Sequence, residues 1–204
     1  MKIAVILMVL IMPGASVLSQ DEERPLPNTA SVCILAKPSG VNGGLTAFTG
    51  FRVGYIGSGK YYAGATIQGM PMDNIQAGFR DESGGNPVLK LIYFGVTGEY
   101  FFNHEDTYVF SLQADINRGY LLFENESPVE NGDQNTKITY ERIWHYSLEP
   151  AVNVTFGQHP WLRVYAGAGY RFILGLEYEN GGIVYDSAKL NGPFIQIGLM
   201  FGEM

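Results

Sequence analysis

Residues 140–178 read YERIWHYSLEPAVNVTFGQHPWLRVYAGAGYRFILGLEY, and they alternate in polarity over most of their length. Successive side chains of a β-strand point to opposite faces, so an alternation of this kind predicts strands. Gly157, Gln158, His159 and Pro160 interrupt the alternation and predict a tight turn. The stretch therefore predicts a long antiparallel hairpin.

The two faces of this hairpin differ in chemistry. One face is apolar and aromatic, with Tyr140, Trp144, Val152, Phe156, Leu162, Phe172 and Leu176 among its residues. The other is rich in glycine and in charges of both signs, with Glu141, His145, Glu149, Arg163, Gly167, Gly169, Arg171 and Glu177. A narrow interior of small and charged residues inside a broad apolar exterior is typical of a transmembrane β-barrel.

The composition supports this class. The chain has 204 residues, of which 26 are Gly, 13 Tyr and 12 Phe, and only 16% are charged, which is low for an all-β protein whose outer surface faces water. The net charge of -7 argues against a nucleic-acid partner.

Cys33 is the only cysteine, so an intrachain disulfide is excluded, and we interpret it as an ordinary strand residue. Without a phosphate-binding glycine loop or calcium-loop spacing, we predict no cofactor and no metal site.

The N-terminus predicts export. Lys2 precedes an apolar run over 3–12, so residues 1–20 are predicted to be a signal peptide. The run is too short for a membrane-spanning helix. We assign residues 21–28 to a periplasmic lead-in and 29–204 to the barrel domain. Since only helices and closed barrels satisfy their backbone in lipid, the expected location is the cell outer membrane.

Eight strands are predicted, an even number that places both termini on one side of the membrane. They cover 29–37, 45–57, 61–70, 88–102, 107–123, 140–156, 162–178 and 193–201, although residues 183–185 could extend a strand. Short turns are expected at 58–60, 103–106 and 157–160, and mostly longer links at 38–44, 71–87, 124–137 and 179–192. Outer-membrane barrels have short periplasmic turns and longer extracellular loops. The predicted fold is thus an all-β, eight-stranded antiparallel up-and-down transmembrane β-barrel.

Over nearly all of its mature length the chain resembles the small eight-stranded outer-membrane barrels of the OmpA and OmpX type, and the outer-membrane β-barrel domain family common in Bacteroidetes-like bacteria. The most specific part of the resemblance is the C-terminal strand, where Ile195, Ile197, Leu199 and Phe201 alternate and Gly202, Glu203 and Met204 follow the aromatic residue. The resemblance implies that the barrel assembly machinery recognises these four residues as an assembly signal.

Charged residues on the predicted inner face form a candidate lumen network. They are Arg52, Glu99, Asp115, Glu141, His145, Glu149, Arg163, Arg171 and Glu177. A buried unpaired charge is costly, so these side chains are expected to pair across the interior. Side chains fill the inside of an eight-stranded barrel, which favours a structural plug over a narrow conduit.

Lys90, Arg118 and Arg142 lie on the predicted outer face toward the extracellular strand ends. A cation facing lipid costs about 2–4 kcal/mol at mid-depth and about 0–1 kcal/mol near the interface, so these residues are expected at the rim. Our hypothesis is that they contact lipopolysaccharide phosphates. The alternative is that they snorkel toward water without a specific ligand.

Three functions remain open on the sequence. The first is a structural, surface-interaction or narrow-pore barrel without catalytic residues, whose surface partner is not identified. The second is a lipid A acyl hydrolase, because His145-Tyr146-Ser147 is similar to the His-x-Ser-Asn signature of outer-membrane lipid A deacylases, although Leu148 replaces the Asn. The third is a secreted soluble barrel with a hydrophobic ligand, which would require Trp144, Phe172 and Phe94 to point inward. We favour the first.

Overall fold

The structure is a computed structural model that describes residues 29–71, 88–102, 108–127, 136–159, 161–180 and 183–202. The predicted signal peptide and lead-in lie outside these residues. The strands are β1 (Thr29–Val41), β2 (Gly44–Gly57), β3 (Tyr61–Gly69), β4 (Val88–Phe101), β5 (Tyr108–Ser127), β6 (Thr136–His159), β7 (Leu162–Leu174), β8 (Glu177–Asn180), β9 (Ile183–Asp186) and β10 (Gly192–Phe201). Ser187–Lys189 form one 3-10 turn. A search of the described residues for an apolar helix of membrane-spanning length finds none.

Eight of the strands close into an antiparallel barrel in the order β1-β10-β7-β6-β5-β4-β3-β2. Closure comes from the pairing of β1 with β10, in which Val32 lies opposite Phe201. The predicted fold class and strand number are therefore confirmed. Thr29 and Phe201 lie at the same end of the barrel, which we name the terminal end, and the opposite end is the loop end.

The prediction of a loop over 38–44 is wrong. β1 continues to Val41, and a two-residue turn at Asn42 and Gly43 leads directly into β2. Asn42 and Gly43 have φ of 48° and 75°, the left-handed conformations that a two-residue hairpin turn requires and that Asn-Gly readily adopts. The loop end therefore includes one tight turn among its links.

The prediction that strand seven reaches residue 178 is also wrong. β7 ends at Leu174, and Gly175, with φ of 75°, turns the chain away from the barrel wall. Leu176 then packs into the interior, and residues 183–185 form part of β9, which pairs with β8 in a separate hairpin. Residues 183–185 thus belong to this hairpin and extend no barrel strand.

β5 and β6 are longer than predicted. Their pairing continues past a register shift between Leu122 and Glu124 up to Ser127 and Thr136, so part of the acidic segment predicted as a loop is strand. At the terminal end, Ser58–Lys60 form the predicted short turn between β2 and β3. The longer links, which cover 70–87, 128–135 and 175–191, connect strand ends that lie at the loop end.

Apolar side chains cover the outer face of the barrel strands. They are exposed on every barrel strand, and they include Ile34, Phe51, Val53, Ile67, Phe94, Val96, Leu112, Ile116, Trp144, Val152, Phe172, Ile195, Ile197 and Leu199. The inner face carries most of the buried polar residues. The soluble barrel with a hydrophobic cavity is therefore wrong, because the residues that should line its cavity are on the exterior.

Candidate functional site in the barrel interior and at the rim

Glu149 is the centre of a buried ion cluster in the lumen. Its Oε2 lies 2.6 Å from Lys37 Nζ and its Oε1 accepts a hydrogen bond of 2.7 Å from Arg171 Nε. Lys37 Nζ is also 3.5 Å from Asp115 Oδ2, and Gln68 Nε2 donates to Glu149 Oε2 at 3.4 Å. The cluster joins side chains from β1, β3, β5, β6 and β7 across the interior.

A second cluster lies toward the terminal end and is linked to the first through Asp115. Arg52 Nη1 is 3.4 Å from Glu99 Oε2, and Ser111 Oγ donates to Glu99 Oε1 at 2.5 Å. Gln113 Nε2 donates to Asp115 Oδ1 at 2.7 Å. Asn153, Tyr165 and Gln196 also donate to the Gln113 side-chain oxygen, and Asn153 bonds Glu99 as well. The network therefore spans the full width of the barrel.

The paired charges of these clusters balance. Three cations, Lys37, Arg52 and Arg171, contact three anions, Glu99, Asp115 and Glu149. Aromatic rings cover each cation, with Arg171 Cζ 4.1 Å from the Phe48 ring centre, Lys37 Nζ 4.5 Å from that of Phe194 and Arg52 Cζ 4.6 Å from that of Tyr165. Such contacts stabilise a desolvated cation, which lowers the cost of burying it.

Apolar clusters lie on both sides of the ion network. At the loop end, buried residues pack together, namely Val41, Phe48, Met70, Leu89, Leu91, Tyr93, Leu121, Phe123, Ile173, Leu176 and Leu190. Toward the terminal end the cluster is Ile56, Tyr62, Phe101 and Val109. Glycines make room for the largest of these side chains: a Cβ at Gly119 would lie 2.4 Å from Tyr93 Cδ1. The lumen is thus filled by a charged layer beneath an apolar layer at the loop end, and its terminal end combines the smaller apolar cluster with the polar residues Ser31, Thr155 and Arg163.

The predicted lumen residues are distributed as follows. Arg52, Glu99, Asp115, His145, Glu149 and Arg171 are all buried inside the barrel. Arg163 is half-buried at the terminal end, and its Nε and Nη1 atoms have no hydrogen-bond partner among the described residues. The side chain of Glu141 lies outside the described residues. The placement of Glu177 in the lumen is wrong, because Gly175 turns the chain out of the wall and leaves Glu177 exposed on β8.

Sequence reasoning missed Lys37, a central cation of the network. The sequence predicts it at the end of a short first strand, yet it alternates with Ile34 and Ala36, which face outward. That alternation was the signal that could have placed it inside. The amide and hydroxyl partners Ser111, Gln113, Asn153 and Gln196 were also missed, because uncharged polar residues carry no requirement for a partner of opposite sign.

His145 and Ser147 both point into the lumen and are buried. His145 Nε2 lies 3.3 Å from the Tyr93 hydroxyl and its Nδ1 lies 3.4 Å from the Ile143 carbonyl oxygen. Ser147 Oγ accepts a hydrogen bond of 3.1 Å from Asn117 Nδ2. Both side chains therefore have interior partners and face away from the apolar exterior where an acyl chain would lie.

Lys90, Arg118 and Arg142, which we name the rim cations, surround two outward aromatic residues in the loop-end half of β4–β6. Arg118 Cζ is 4.7 Å from the Trp144 ring centre, and Arg142 Cζ is 4.8 Å from that of Tyr120. The Tyr120 and Trp144 rings are in edge contact, with centres 5.2 Å apart. Lys90 and Arg142 both lie across from Leu122, on either side of β5.

The predicted assembly signal lies on the last strand, β10. Ile195, Ile197 and Leu199 are exposed on its outer face, and Phe201 at its end is partly exposed. In the part of the chain that the structure describes, no group of three His, Cys, Asp or Glu side chains could hold a metal ion. Cys33 is buried, and its thiol accepts a weak contact of 3.6 Å from Arg52 Nη2.

No protein-family model and no curated protein matches the chain. Among solved structures it is similar to Neisserial surface protein A, with a TM-score of 0.53 and 12% identity over 85% of this chain and 96% of that one. The N-terminal β-barrel domain of Pseudomonas aeruginosa OprF matches at 0.52 and 10%, over 85% and 96%. A major outer membrane protein from Thermus thermophilus matches at 0.54 and 10%, over 85% and 99%.

These comparisons give no support for the Bacteroidetes-like lineage of the resemblance, since the three structures come from other bacteria. Sequence identities of 10% and 12% support a shared fold and carry no information about a shared function. Each alignment covers 85% of this chain and at least 96% of the other one, with TM-scores above 0.5. The chain therefore has the fold of the small eight-stranded β-barrels of bacterial outer membranes.

Proposed function

We propose that the protein spans the outer membrane as a closed barrel that presents its loop end to the cell exterior. The observation that carries this proposal is the apolar exterior: side chains such as Ile116 and Val152 are each 58% exposed in mid-strand. Apolar side chains are exposed in this way along every barrel strand, which is unfavourable in water and favourable in a bilayer. Because an even number of strands brings Thr29 and Phe201 to the same end, this orientation puts both on the periplasmic side.

Envelope fractionation tests this location. We expect the mature protein in the outer-membrane fraction, and we expect it to migrate faster on a gel when unboiled than when boiled, because the closed barrel survives detergent. A matched sample boiled before loading is the control for compactness. Recovery in the soluble periplasmic or secreted fraction would overturn the proposal.

The lumen supports a surface role over a pore. The charged residues of the lumen neutralise one another, and the apolar layer at the loop end blocks a polar path for an ion. We infer that the barrel is a closed anchor whose function resides in its loops and rim, and that the described residues form no catalytic site. The positions of His145 and Ser147 argue against catalysis, because both side chains are enclosed in the lumen and bonded to Tyr93, Ile143 and Asn117.

Planar-bilayer recording tests the closed lumen. Purified protein reconstituted in lipid is expected to show no stable conductance steps above the bilayer baseline, since ions would have to cross the apolar layer at the loop end. A general porin reconstituted in the same way serves as the positive control. Reproducible open levels that scale with the amount of inserted protein would show that the lumen conducts.

The rim cations support contact with lipopolysaccharide. Arg118 and Arg142 stack on Trp144 and Tyr120, and guanidinium groups that are held in this way can still bind phosphate oxygens along their N–H edges. The cations lie in the loop-end half of the wall, which corresponds to the outer leaflet in the orientation proposed above. We also propose that the barrel assembly machinery recognises the outward residues of β10, ending at Phe201.

A further inference from the structure

A trough crosses the outer face of β1–β4 below the loop end. It has a volume of about 630 Å³, within the range of about 300–1,000 Å³ that is usual for small-molecule sites. Ile34, Thr49, Gly50, Phe51, Ile67, Gln68, Gly69, Met70, Pro71 and Ile92 line it. Apart from Thr49 and Gln68, these residues are apolar or glycine, so the trough suits a hydrocarbon chain.

The strand register explains why the trough exists. One row of outward residues across β1, β2 and β3 consists of the small residues Ala36, Thr49 and Gly69. The next row toward the terminal end consists of the bulky residues Ile34, Phe51 and Ile67. The small row forms the floor and the bulky row forms one wall.

On its loop-end side the trough is bounded by Met70 and Pro71, which follow the end of β3. β3 stops at Gly69, while β2 and β4 continue toward the loop end. Met70 bonds its backbone N to the Leu91 carbonyl at 3.0 Å and packs into the apolar cluster of the lumen. The trough therefore borders the interior apolar layer at the point where the wall loses one strand.

The β4 end of the trough opens onto the rim cations. The row of its floor continues from Gly69 through Ile92 to Tyr120 and Trp144. The row of its bulky wall continues from Ile67 through Phe94 to Arg118. Lys90 lies two residues before Ile92 on the same outer face, about 7 Å along the strand. An apolar surface and a cationic one thus meet at Ile92.

We propose that this juxtaposition is a binding site for one diphosphorylated, acylated glycolipid of the outer leaflet, the lipid A part of lipopolysaccharide. One acyl chain lies in the trough, and the phosphates contact the rim cations. Three cations around one aromatic pair favour a headgroup with two phosphates over a phospholipid with one. The proposal rests on the outer-membrane location and rim contact proposed above, and adds the acyl-chain site.

The test fills the trough without changing its charge. Thr49→Phe and Gly69→Phe place a ring on its floor; at Gly69 the first added carbon would lie 3.5 Å from Ile92 Cγ1, an ordinary contact. Ala114→Phe is the matched control, because Ala114 is outward on β5 and lies across from Gly98, whose side is open. A Lys90→Gln, Arg118→Gln, Arg142→Gln triple variant tests the rim separately. Heat-modifiable migration verifies that each variant is folded.

Retention of purified diphosphoryl lipid A and of phosphatidylglycerol is measured by native mass spectrometry after detergent exchange. We expect the wild type and Ala114→Phe to retain lipid A, and the trough variants and the triple variant to retain at least fivefold less. Lipid A retention by the trough variants within twofold of the wild-type value would overturn the acyl-chain site. If the triple variant alone lost retention in that case, the rim contact would still be supported. Equal loss in Ala114→Phe, or equal retention of phosphatidylglycerol, would also overturn the proposal.

Discussion

Glu149→Gln is expected to destabilise the barrel by about 3–5 kcal/mol, because it leaves two buried cations without their shared carboxylate. Lys37 and Arg171 bond opposite oxygens of Glu149, at 2.6 and 2.7 Å, and all three side chains are buried. The amide of Gln has nearly the same shape as the carboxylate, so the loss reports charge and not packing. The loss is measured as the shift in the urea midpoint of the heat-modifiable band.

Two further variants separate this effect from a general sensitivity to carboxylate removal. Glu177→Gln changes an exposed residue of β8, and its free energy of unfolding is expected to stay within about 0.5 kcal/mol of the wild-type value. A Lys37→Met, Glu149→Gln double variant removes one cation together with the anion and is expected to recover part of the loss. Equal midpoints for Glu149→Gln and Glu177→Gln would show that the ion cluster does not stabilise the barrel.

Gly95→Ala is expected to destabilise the barrel by about 1–3 kcal/mol, since a side chain at this position overpacks the wall. An added Cβ would lie 2.1 Å from the Ile116 carbonyl oxygen and 2.5 Å from Asn117 Oδ1, and the first of these atoms is backbone of the paired strand. β4 and β5 would have to separate at this point. The same urea titration measures the change.

Gly98→Ala, on the same strand, is the matched control. A Cβ there meets no atom within 4 Å, so the substitution adds no clash. Reduced freedom of the unfolded chain is expected to stabilise this variant by up to about 1 kcal/mol. If both alanine variants unfold at the same midpoint, the close approach of β4 and β5 at Gly95 does not constrain the wall.

The fold was accessible from sequence because the period-two alternation decides both the strands and their faces. Arg52, Asp115, Glu149 and Arg171 alternate with large apolar residues, so their inward placement required only the assumption that the apolar face is outside. Asn42-Gly43 is a signal for a two-residue hairpin turn, although the prediction was a longer link over 38–44. Pro38 predicts a break in the strand, yet it lies within β1, where the ladder to β10 has no pairs between Ala36 and Ser39 and keeps the same register on both sides.

Other features depend on contacts that no single strand encodes. The chain leaves the barrel wall at Gly175 because this residue has a left-handed backbone conformation. The sequence alone does not distinguish such a glycine from one at a regular strand position. The apolar layer that closes the lumen at the loop end combines Phe48, Tyr93 and Leu121 from three strands with Leu176 and Leu190 from the link between β7 and β10. The trough depends on where β3 ends relative to its neighbours, which is a property of register.

The most direct test of the membrane-spanning barrel is the environment of its outer face in lipid vesicles. Nitroxide labels would be placed singly at Ile116, Val152 and Lys189 in a Cys33→Ala background, and their collision rates with oxygen and with a water-soluble nickel chelate would be compared. Ile116 and Val152 are outward in mid-strand, and Lys189 is exposed in the link after β9. We predict that oxygen dominates at Ile116 and Val152 and that nickel dominates at Lys189. Nickel accessibility at Ile116 and Val152 equal to that at Lys189 would contradict a barrel whose apolar face meets lipid.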